Sequence, residues 1–346
     1  MKNSYVSRLA IFCAILIATA MSSGTASAAG EVNLYSERQP FLMAPLLDAF
    51  SKETGIKVNM VYIKKGMLER LKAEGMNSPA DMVLTADIGN LNNLVTAGLM
   101  QPTRSDKLSA NIPANLRHPD GLWYGLTTRA RIIYAHKDRV KPGEVTRYED
   151  LAAPHMKGRV CTRSGKHVYN VSLLASIIDA KGEAKATEWA KGVKANLARK
   201  PQGNDRAQVK AVFQGECDVA IGNTYYMGKM QTNEKKPEQK QWAAAVNLIF
   251  PNQSDRGAHV NVSGAAVTKS AKNKDNAIRL VEFLTSDAAQ KIYAEGNFEY
   301  PVKKGVALHP LVASWGTFKS DKAMLSNVAA QRKLATRIMD RVRFDN

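Results

Sequence analysis

Short apolar segments alternate with amphipathic helical segments through the first hundred residues of the chain. The apolar positions predict strands over 32–35, 56–62 and 81–85, and apolar residues with helical spacing follow each strand. Pro40 begins the first of these helices and Gly55 ends it, which is the usual asymmetry of helix termini. Strands and helices of these lengths form βαβ units with a largely parallel sheet. This part of the sequence therefore predicts an α/β domain.

A long apolar segment, 125–135, leads into a second series of strands and helices. Short strands are predicted over 159–162 and 217–221, and 262–267 is a second extended segment that could cross between the two halves. Helices are predicted around 170–180, 183–197 and 205–213. Two α/β halves joined by crossover strands predict a two-lobed hinge protein, with a ligand cleft outside the carboxyl ends of the strands. We expect an N-terminal lobe of residues 29–128 plus 253–303 and a C-terminal lobe of residues 129–252 plus 304–346.

The first 28 residues have the pattern of a secretory signal peptide. Lys2 and Arg8 form a basic start, residues 9–18 are apolar, and Ala26 to Ala28 are small residues of the kind found at cleavage sites. The apolar segment is too short to span a bilayer. We expect cleavage after Ala28 and a secreted mature protein that is not integral to the membrane and is long enough for two domains.

The net charge of the chain excludes few classes of binding partner. The full chain has 49 basic and 31 acidic residues, and removal of Lys2 and Arg8 leaves 47 basic residues and a net charge of +16. This balance suits nucleic acid, an anionic membrane or an anionic ligand. Secretion argues against nucleic acid, and the basic residues are scattered along the chain. The charge therefore indicates a basic secreted surface without identifying a partner.

Two cysteines, Cys161 and Cys217, remain after the expected cleavage. An even number of cysteines in an oxidising compartment predicts a disulfide. Both residues fall on predicted short strands of the C-terminal lobe, so the bridge would fasten two strands. Two buried free thiols are the alternative.

Common enzyme and cofactor motifs are missing from the sequence. It contains no glycine-rich phosphate loop, no His-Glu-x-x-His and no Gly-x-Ser-x-Gly. The histidines His136, His155, His167 and His259 are isolated from one another, so a zinc site is unsupported. A secreted enzyme would need a nucleophile–base pair or an acid pair in its loops, and none is recognisable. We therefore expect a binding protein rather than an enzyme.

Tyrosines at the ends of predicted strands are the distinctive chemical feature. Tyr225 and Tyr226 lie where one strand leads into a helix, and Tyr169 begins a helix after another strand. A single tyrosine ordinarily packs, but two adjacent side chains are expected to diverge and to be hard to bury together. Phenolate oxygen suits a hard trivalent cation such as ferric iron, whose charge drives loss of the phenol protons. The residues alone suggest a ferric site without establishing it.

Several segments of the chain resemble the periplasmic ferric-ion-binding proteins of ABC importers, and the likeness runs from about residue 31 almost to the C-terminus. It implies a periplasmic binding protein of type II, a monomer that delivers ferric iron to an inner-membrane ABC permease. It also implies that Tyr169, Tyr225 and Tyr226 are the iron-binding phenolates. The segments are YSERQPFL at 35–42, SPADMVLT at 78–85, RSGKHVYN at 163–170, KPQGNDRAQV at 200–209 and GNTYY at 222–226.

One position departs from part of that family. Some members have His-Tyr after the first strand, where this chain has Gln39 and Pro40. The chain therefore resembles the subgroup with three tyrosines from one lobe and a synergistic anion such as carbonate. In that subgroup the anion is held by residues that map to Arg129 and Gln39, and Ser164 is a weaker candidate. A guanidinium would offset the excess negative charge of three phenolates and a carbonate around a ferric ion.

The main alternative is a receptor for an oxyanion or a small organic anion. The positive net charge and Arg129 would suit that ligand too, with the tyrosines lining its pocket. A polyamine receptor is less suited, since the predicted cleft segments supply few carboxylates. Ferric phenolates absorb visible light, so the colour of the protein distinguishes a ferric iron receptor from a receptor for an anion or a polyamine.

Overall fold

Residues 30–346, the part of the chain that the computed structural model describes, fold into one mixed sheet with helices packed against it. The predicted signal peptide, residues 1–28, lies outside these described residues. Within residues 30–346, none of the helices has the length and apolar character needed to cross a bilayer. The strands are β1 (Glu31–Ser36), β2 (Lys57–Tyr62), β3 (Met82–Thr85), β4 (Tyr124–His136), β5 (Val160–Cys161), β6 (Val219–Asn223), β7 (Val246–Ile249), β8 (Val260–Val267) and β9 (Tyr300–Pro301).

Helices follow most of the strands, as the spacing of apolar residues predicts. Short 3-10 turns occupy some of the remaining connections. The helices are α1 (Pro40–Thr54), α2 (Met67–Glu74), α3 (Ile88–Thr96), α4 (Asp106–Asn111), α5 (Val168–Ala195), α6 (Asp205–Phe213), α7 (Tyr225–Gln231), α8 (Glu238–Ala244), α9 (Lys274–Leu284), α10 (Asp287–Asn297), α11 (Pro310–Ala313), α12 (Leu325–Ala330) and α13 (Arg332–Arg341).

The main path of the sheet has the strand order β2-β1-β3-β8-β4-β6-β5. Strand β1 pairs in parallel with β2 and β3, and β5 pairs in parallel with β6. These parallel pairs arise because a helix returns the chain to the same end of the sheet after each strand. Strands β8 and β4, by contrast, run antiparallel to their neighbours. The predicted α/β class is confirmed, and the parallel pairing lies toward the two ends of the sheet.

Strand β4 joins the two halves of the sheet. Its residues Tyr124–Ala130 pair with β8, and its residues Arg131–Ala135 pair with β6. The change of partner falls between Ala130 and Arg131, inside the predicted crossover 125–135. Strand β8 pairs with β3 and with the first part of β4, so β4 makes the connection into the second half.

Buried side chains form two clusters. The first includes Leu34, Phe50 and Met82 from the N-terminal half of the sheet, and it continues past β4 to Met227. The second includes Ile133, Val171, Leu174, Ile338 and Met339. Helix α13, at the C-terminus of the chain, therefore packs with α5 against the second half of the sheet.

Two local predictions differ from the structure. The predicted helices around 170–180 and 183–197 form one segment, α5, with a kink at Gly182, whose φ of 80° favours glycine. Cys161 and Cys217 are joined by a disulfide, with their Cα atoms 5.9 Å apart. The placement of Cys217 on a strand is wrong, because β6 begins only at Val219.

Candidate metal-binding site

Three tyrosines lie close together at one edge of the sheet. Tyr169 is the second residue of α5, and Tyr225 and Tyr226 are the first two residues of α7. The hydroxyl oxygens of Tyr169 and Tyr225 are 3.1 Å apart, and the rings of Tyr225 and Tyr226 lie 4.3 Å apart, centre to centre. Strands β5 and β6 are parallel neighbours, so the helices that follow them start at the same edge. The structure thus brings the three predicted ligands together.

The two adjacent tyrosines pack against each other. Their ring planes are inclined by 31°, and Tyr225 is only 7% exposed. The expectation that the two side chains diverge is therefore wrong. It assumed an open turn, whereas both residues belong to the first turn of a helix, where their rings can lean together.

Burial makes two of the phenols weaker acids. Burial, together with the nearby Tyr169, raises the pKa of Tyr225 well above its ordinary value of 10.0. The same causes raise the pKa of Tyr226 to about 12. Both phenols are therefore protonated at neutral pH in the metal-free protein. A bound ferric ion would have to displace both protons, and its charge supplies the driving force.

Three arginines surround the ring of Tyr169. The guanidinium carbons of Arg129 and Arg131 lie 5.7 Å from the ring centre, and that of Arg163 lies at 5.2 Å. A cation at this distance over an aromatic ring is attracted to the ring face. The sequence argument selected only Arg129, although Arg131 lies two residues further along the same strand.

The other two tyrosines also have basic neighbours. The guanidinium of Arg206 lies 5.4 Å from the ring centre of Tyr226, and the ammonium of Lys229 lies 5.1 Å from that of Tyr225. Burial lowers the pKa of Lys229 to about 8, despite the opposing effect of Glu299. Each of the three tyrosine rings therefore has at least one basic side chain over it.

A buried carboxylate holds two of the arginines in place. Asp205, fully buried at the start of α6, accepts hydrogen bonds from Arg131 at 2.9 Å and from Arg163 at 3.1 Å. Arg131 also donates to Asn170, next to Tyr169, at 2.7 Å. Because one carboxylate serves two guanidiniums, positive charge remains in excess beside Tyr169. Sequence reasoning missed Asp205, since an acidic residue in a first helical turn is also the ordinary pattern of a helix start.

Arg129 lies on β4 just before the change of partner. It is 1% exposed, and its guanidinium donates to the backbone oxygen of Ala86. It also lies 3.4 Å from the hydroxyl of Ser263 and 3.7 Å from the carboxylate of Asp87. Its Nε atom has no hydrogen-bond partner among residues 30–346. Arg129 is thus fixed to the start of α3 on one side while it approaches Tyr169 on the other.

Gln39 is exposed at the residue before α1, and its side chain does not cap that helix. Its neighbour Arg38 forms an ion pair with the buried Glu299 at 2.6 Å. Thr127 on β4 donates to the same carboxylate, also at 2.6 Å. Burial raises the pKa of Glu299, but the charges of Arg38 and Arg129 outweigh it, so the net pKa lies below the usual value. Glu299 is thus an ionised partner for Arg38, beside Gln39.

Ser164 is engaged elsewhere. Its hydroxyl donates to Asp345 at 2.5 Å and accepts a bond from the backbone of Lys166 at 3.1 Å. It would have to give up the bond to Asp345 in order to donate to a bound anion.

His167 has a structural role at the start of α5. Its Nδ1 atom accepts a bond from the backbone N–H of Tyr169 at 3.2 Å, which caps the helix. Burial and the nearby Arg163 lower its pKa to about 4. Among the described residues 30–346, the His, Cys, Asp and Glu side chains form no group of three or more suited to a metal ion. The phenol oxygens are therefore the donors to consider here.

Known proteins similar to this chain include iron-binding ones. Residues 77–319 match the model of the bacterial extracellular solute-binding protein family. The chain is 49% identical over 311 residues to iron uptake protein A1 of Synechocystis, covering 90% of this chain and 86% of that protein. It is 30% identical over 299 residues to the major ferric iron-binding protein of Neisseria meningitidis serogroup B, covering 84% and 86%.

Solved structures are similar over nearly the whole described chain. Ferric iron-binding protein A of Mannheimia haemolytica, in an open conformation, has a TM-score of 0.87 and 50% identity, with 92% of this chain and 100% of that one covered. A Trichodesmium protein in complex with iron and citrate ligands has a TM-score of 0.88 and 45% identity, with 90% and 99% covered. The fold is that of a type II periplasmic binding protein, as the resemblance implied.

Proposed function

We propose, since the chain belongs to the family of bacterial extracellular solute-binding proteins, that it captures ferric iron through Tyr169, Tyr225 and Tyr226 and delivers it to an ABC permease of the inner membrane. The 3.1 Å approach of the Tyr169 and Tyr225 hydroxyls, beside Tyr226, is the observation that carries this proposal. Ferric iron prefers anionic oxygen, and three phenolates from neighbouring helix starts would supply it. The names of the similar proteins support the same cargo.

An anion such as carbonate completes the coordination in this proposal. Arg129 and Gln39 would hold it, because Arg129 lies beside Tyr169 and Gln39 is exposed at the start of the 15-residue helix α1. Helix N-termini favour anions through their free N–H groups. The Trichodesmium protein is in complex with iron and citrate ligands, and citrate is also an oxygen-donor anion, which supports an anion beside the metal here. Ser164 is a weaker partner, since its hydroxyl is bonded to Asp345.

The iron site would lie between two lobes that move about the middle of β4. The proposed lobes are residues 29–128 with 253–303 and residues 129–252 with 304–346. The change of pairing after Ala130 supports a hinge at this point. All three proposed iron ligands then come from the second lobe, so iron capture does not require a ligand from the first.

The protein would act as a monomeric receptor in the periplasm, after removal of residues 1–28. Its family supports a location outside the cytoplasm and a binding role rather than catalysis. A permease would then receive the iron from the loaded receptor.

Absorption spectroscopy with metal analysis tests the proposal. Protein purified without chelator should contain one ferric ion per chain and be coloured, because ferric phenolates absorb visible light. A receptor for an oxyanion, which the excess of guanidinium groups would also suit, would be colourless and would bind its anion without metal.

A further inference from the structure

We propose that, given the ferric site proposed above, Arg332 is a positioning residue that ties the start of α5, which carries Tyr169, to the carboxylate of Asp87 beside Arg129. Arg332 is the first residue of α13 and lies 160 residues or more from every group that it contacts on α5. It touches none of the three phenol oxygens in the hydrogen bonds of the described chain. Its effect on iron would therefore pass through the groups that it holds.

Arg332 binds the first turn of α5. Its Nη1 atom donates to the backbone oxygen of Val168 at 3.2 Å and to the hydroxyl of the buried Ser172. These two residues flank Tyr169 along the helix. Because the guanidinium binds both residues, it holds the first turn of α5 in one position. The direction of the Tyr169 side chain from this turn is then set as well.

The same atom of Arg332 reaches the other half of the molecule. It lies 3.5 Å from an oxygen of Asp87, the residue that caps α3. Asp87 is 2% exposed, and its second oxygen lies 3.7 Å from Arg129. One buried carboxylate is thus shared between Arg332 and the arginine proposed to hold the anion. Removing either guanidinium changes the charge balance around the other.

Gly89 shows how closely Arg332 lies against α3. A Cβ atom built on Gly89 would be 2.0 Å from the guanidinium carbon of Arg332. Glycine is disfavoured inside a helix relative to alanine, so its presence in the first turn of α3 has a steric reason here. The guanidinium occupies the space that a side chain at position 89 would need, so any such side chain would push it away.

The contact between Arg332 and Asp87 joins α13 to α3, and these two helices pack in different clusters of buried side chains. Ile88 and Leu91 of α3 belong to the first buried cluster, whereas Val171 of α5 and Ile338 of α13 belong to the second. Arg332 therefore connects the two halves at the position of the proposed cleft. Its loss should free the first turn of α5 and leave Arg129 as the one arginine beside Asp87 among the ion pairs of residues 30–346, drawing Arg129 away from a bound anion.

The test compares Arg332→Ala with Arg337→Gln, an exposed arginine on the same helix. Ferric iron is titrated in bicarbonate buffer, and both affinity and the visible absorption band are recorded. We expect Arg332→Ala to lower the iron affinity about tenfold or more, the usual scale for loss of an outer partner of a metal ligand. We also expect its band to shift, because the orientation of Tyr169 changes. Arg337→Gln should match the wild type in both readouts.

Gly89→Ala tests the same contact from α3, because the added methyl group would displace the guanidinium of Arg332. On its own, this substitution should lower the iron affinity as Arg332→Ala does. Combined with Arg332→Ala it should add little, since the guanidinium is then already missing. Arg332→Lys keeps the charge near Asp87 but not the planar fork, so it should recover part of the affinity. Thermal unfolding of each metal-free variant separates this effect from a loss of fold.

The outcomes separate this role from the ferric site itself. A wild-type protein that takes up no iron would refute the ferric site, and the role of Arg332 with it. A coloured wild type with an Arg332→Ala variant of unchanged affinity and band would refute the role of Arg332 alone. Strictly additive losses for Gly89→Ala and Arg332→Ala, or failure of all three variants to fold, would also overturn it in favour of a purely structural contact.

Discussion

The hydroxyl oxygens of Tyr169 and Tyr225 lie 3.1 Å apart although the two residues are 56 positions apart in the chain. Each tyrosine belongs to the first turn of a helix that follows one of two parallel neighbouring strands. In the metal-free protein the two phenols share a hydrogen bond, which holds both oxygens next to each other. A cation placed between them would meet two oxygens already brought together, so little rearrangement of these side chains would be needed on binding.

Loss of Arg129 should weaken iron binding more than loss of Gln39. Arg129→Ala removes a buried charge beside Tyr169 and should lower the affinity about 10- to 100-fold. Gln39→Ala removes one neutral donor and should lower it only about threefold. Titration of ferric iron with and without bicarbonate, with citrate and phosphate excluded, measures both. Ser164→Ala, at the weaker candidate partner of the anion, should have the smallest effect of the three, because its hydroxyl is bonded to Asp345. Equal affinity of all three variants and the wild type in both buffers would contradict the anion proposal.

Iron affinity should fall as the pH falls. The pKa of Tyr225 is raised well above 10.0 and that of Tyr226 is raised to about 12, so both phenols carry protons at neutral pH. Iron must release at least two protons on binding, and a lower pH opposes that release. Titration in a weakly buffered solution with a pH electrode counts the protons. Binding without proton release would show that these phenols do not ligate the metal.

The metal-free protein should lose stability in alkaline solution. The folded-state pKa values of Tyr225 and Tyr226 are raised above the unfolded value of 10.0, mainly by burial. Stabilisation from such groups is fully present below pH 10 and is lost as the pH rises toward the folded pKa values. Denaturant unfolding between about pH 8 and 11 measures this trend. A free energy of unfolding that stays constant or rises over this range would contradict it.

Breaking the ion pair of Asp205 should destabilise the fold. Asp205→Asn leaves Arg131 and Arg163 without their carboxylate in a buried site, which should cost about 3 kcal/mol. Asp138→Asn, at an 89% exposed side chain, is a matched control and should change stability by no more than about 0.5 kcal/mol. Urea unfolding compares the two variants. Equal stability of both would mean that the buried pair contributes nothing.

The disulfide should contribute stability rather than iron affinity. Replacing Cys161 and Cys217 with serine opens a loop of 56 residues, which in the chain-entropy model costs about 4 kcal/mol. Unfolding curves of the oxidised and reduced protein measure this difference, and iron titration of folded protein serves as the control. Two free thiols in protein isolated from the periplasm would contradict the prediction of a bridge in the cell.

Much of the fold could be predicted because it depends on local pattern. The helix predicted over 205–213 has the same bounds in the structure, and β4 extends one residue beyond the predicted 125–135 at each end. These predictions use local signals, namely the spacing of apolar residues, Pro40 at a helix start and Gly55 at a helix end. The tertiary packing of the protein agrees with these signals. Cys217 was misplaced because its strand begins two residues later, within the usual uncertainty of element ends.

The surroundings of the tyrosines were less predictable, because they depend on contacts between distant residues. Asp205 meets Arg131 across 74 positions, and Arg332 meets Ser172 across 160. A single sequence contains no period or spacing that marks such pairs. The tyrosines themselves could be selected because three of them follow predicted strand ends, where ligands of α/β proteins bind.

The most direct test of the central claim is a ferric titration of the wild type and of the Tyr225→Phe/Tyr226→Phe double variant, followed by visible absorption. The double variant keeps both rings for packing and removes both phenol oxygens. We predict that the wild type binds one ferric ion per chain with a visible band, and that the double variant loses both the band and most of the affinity. Undiminished affinity and colour in the double variant would contradict the assignment of Tyr225 and Tyr226 as iron ligands.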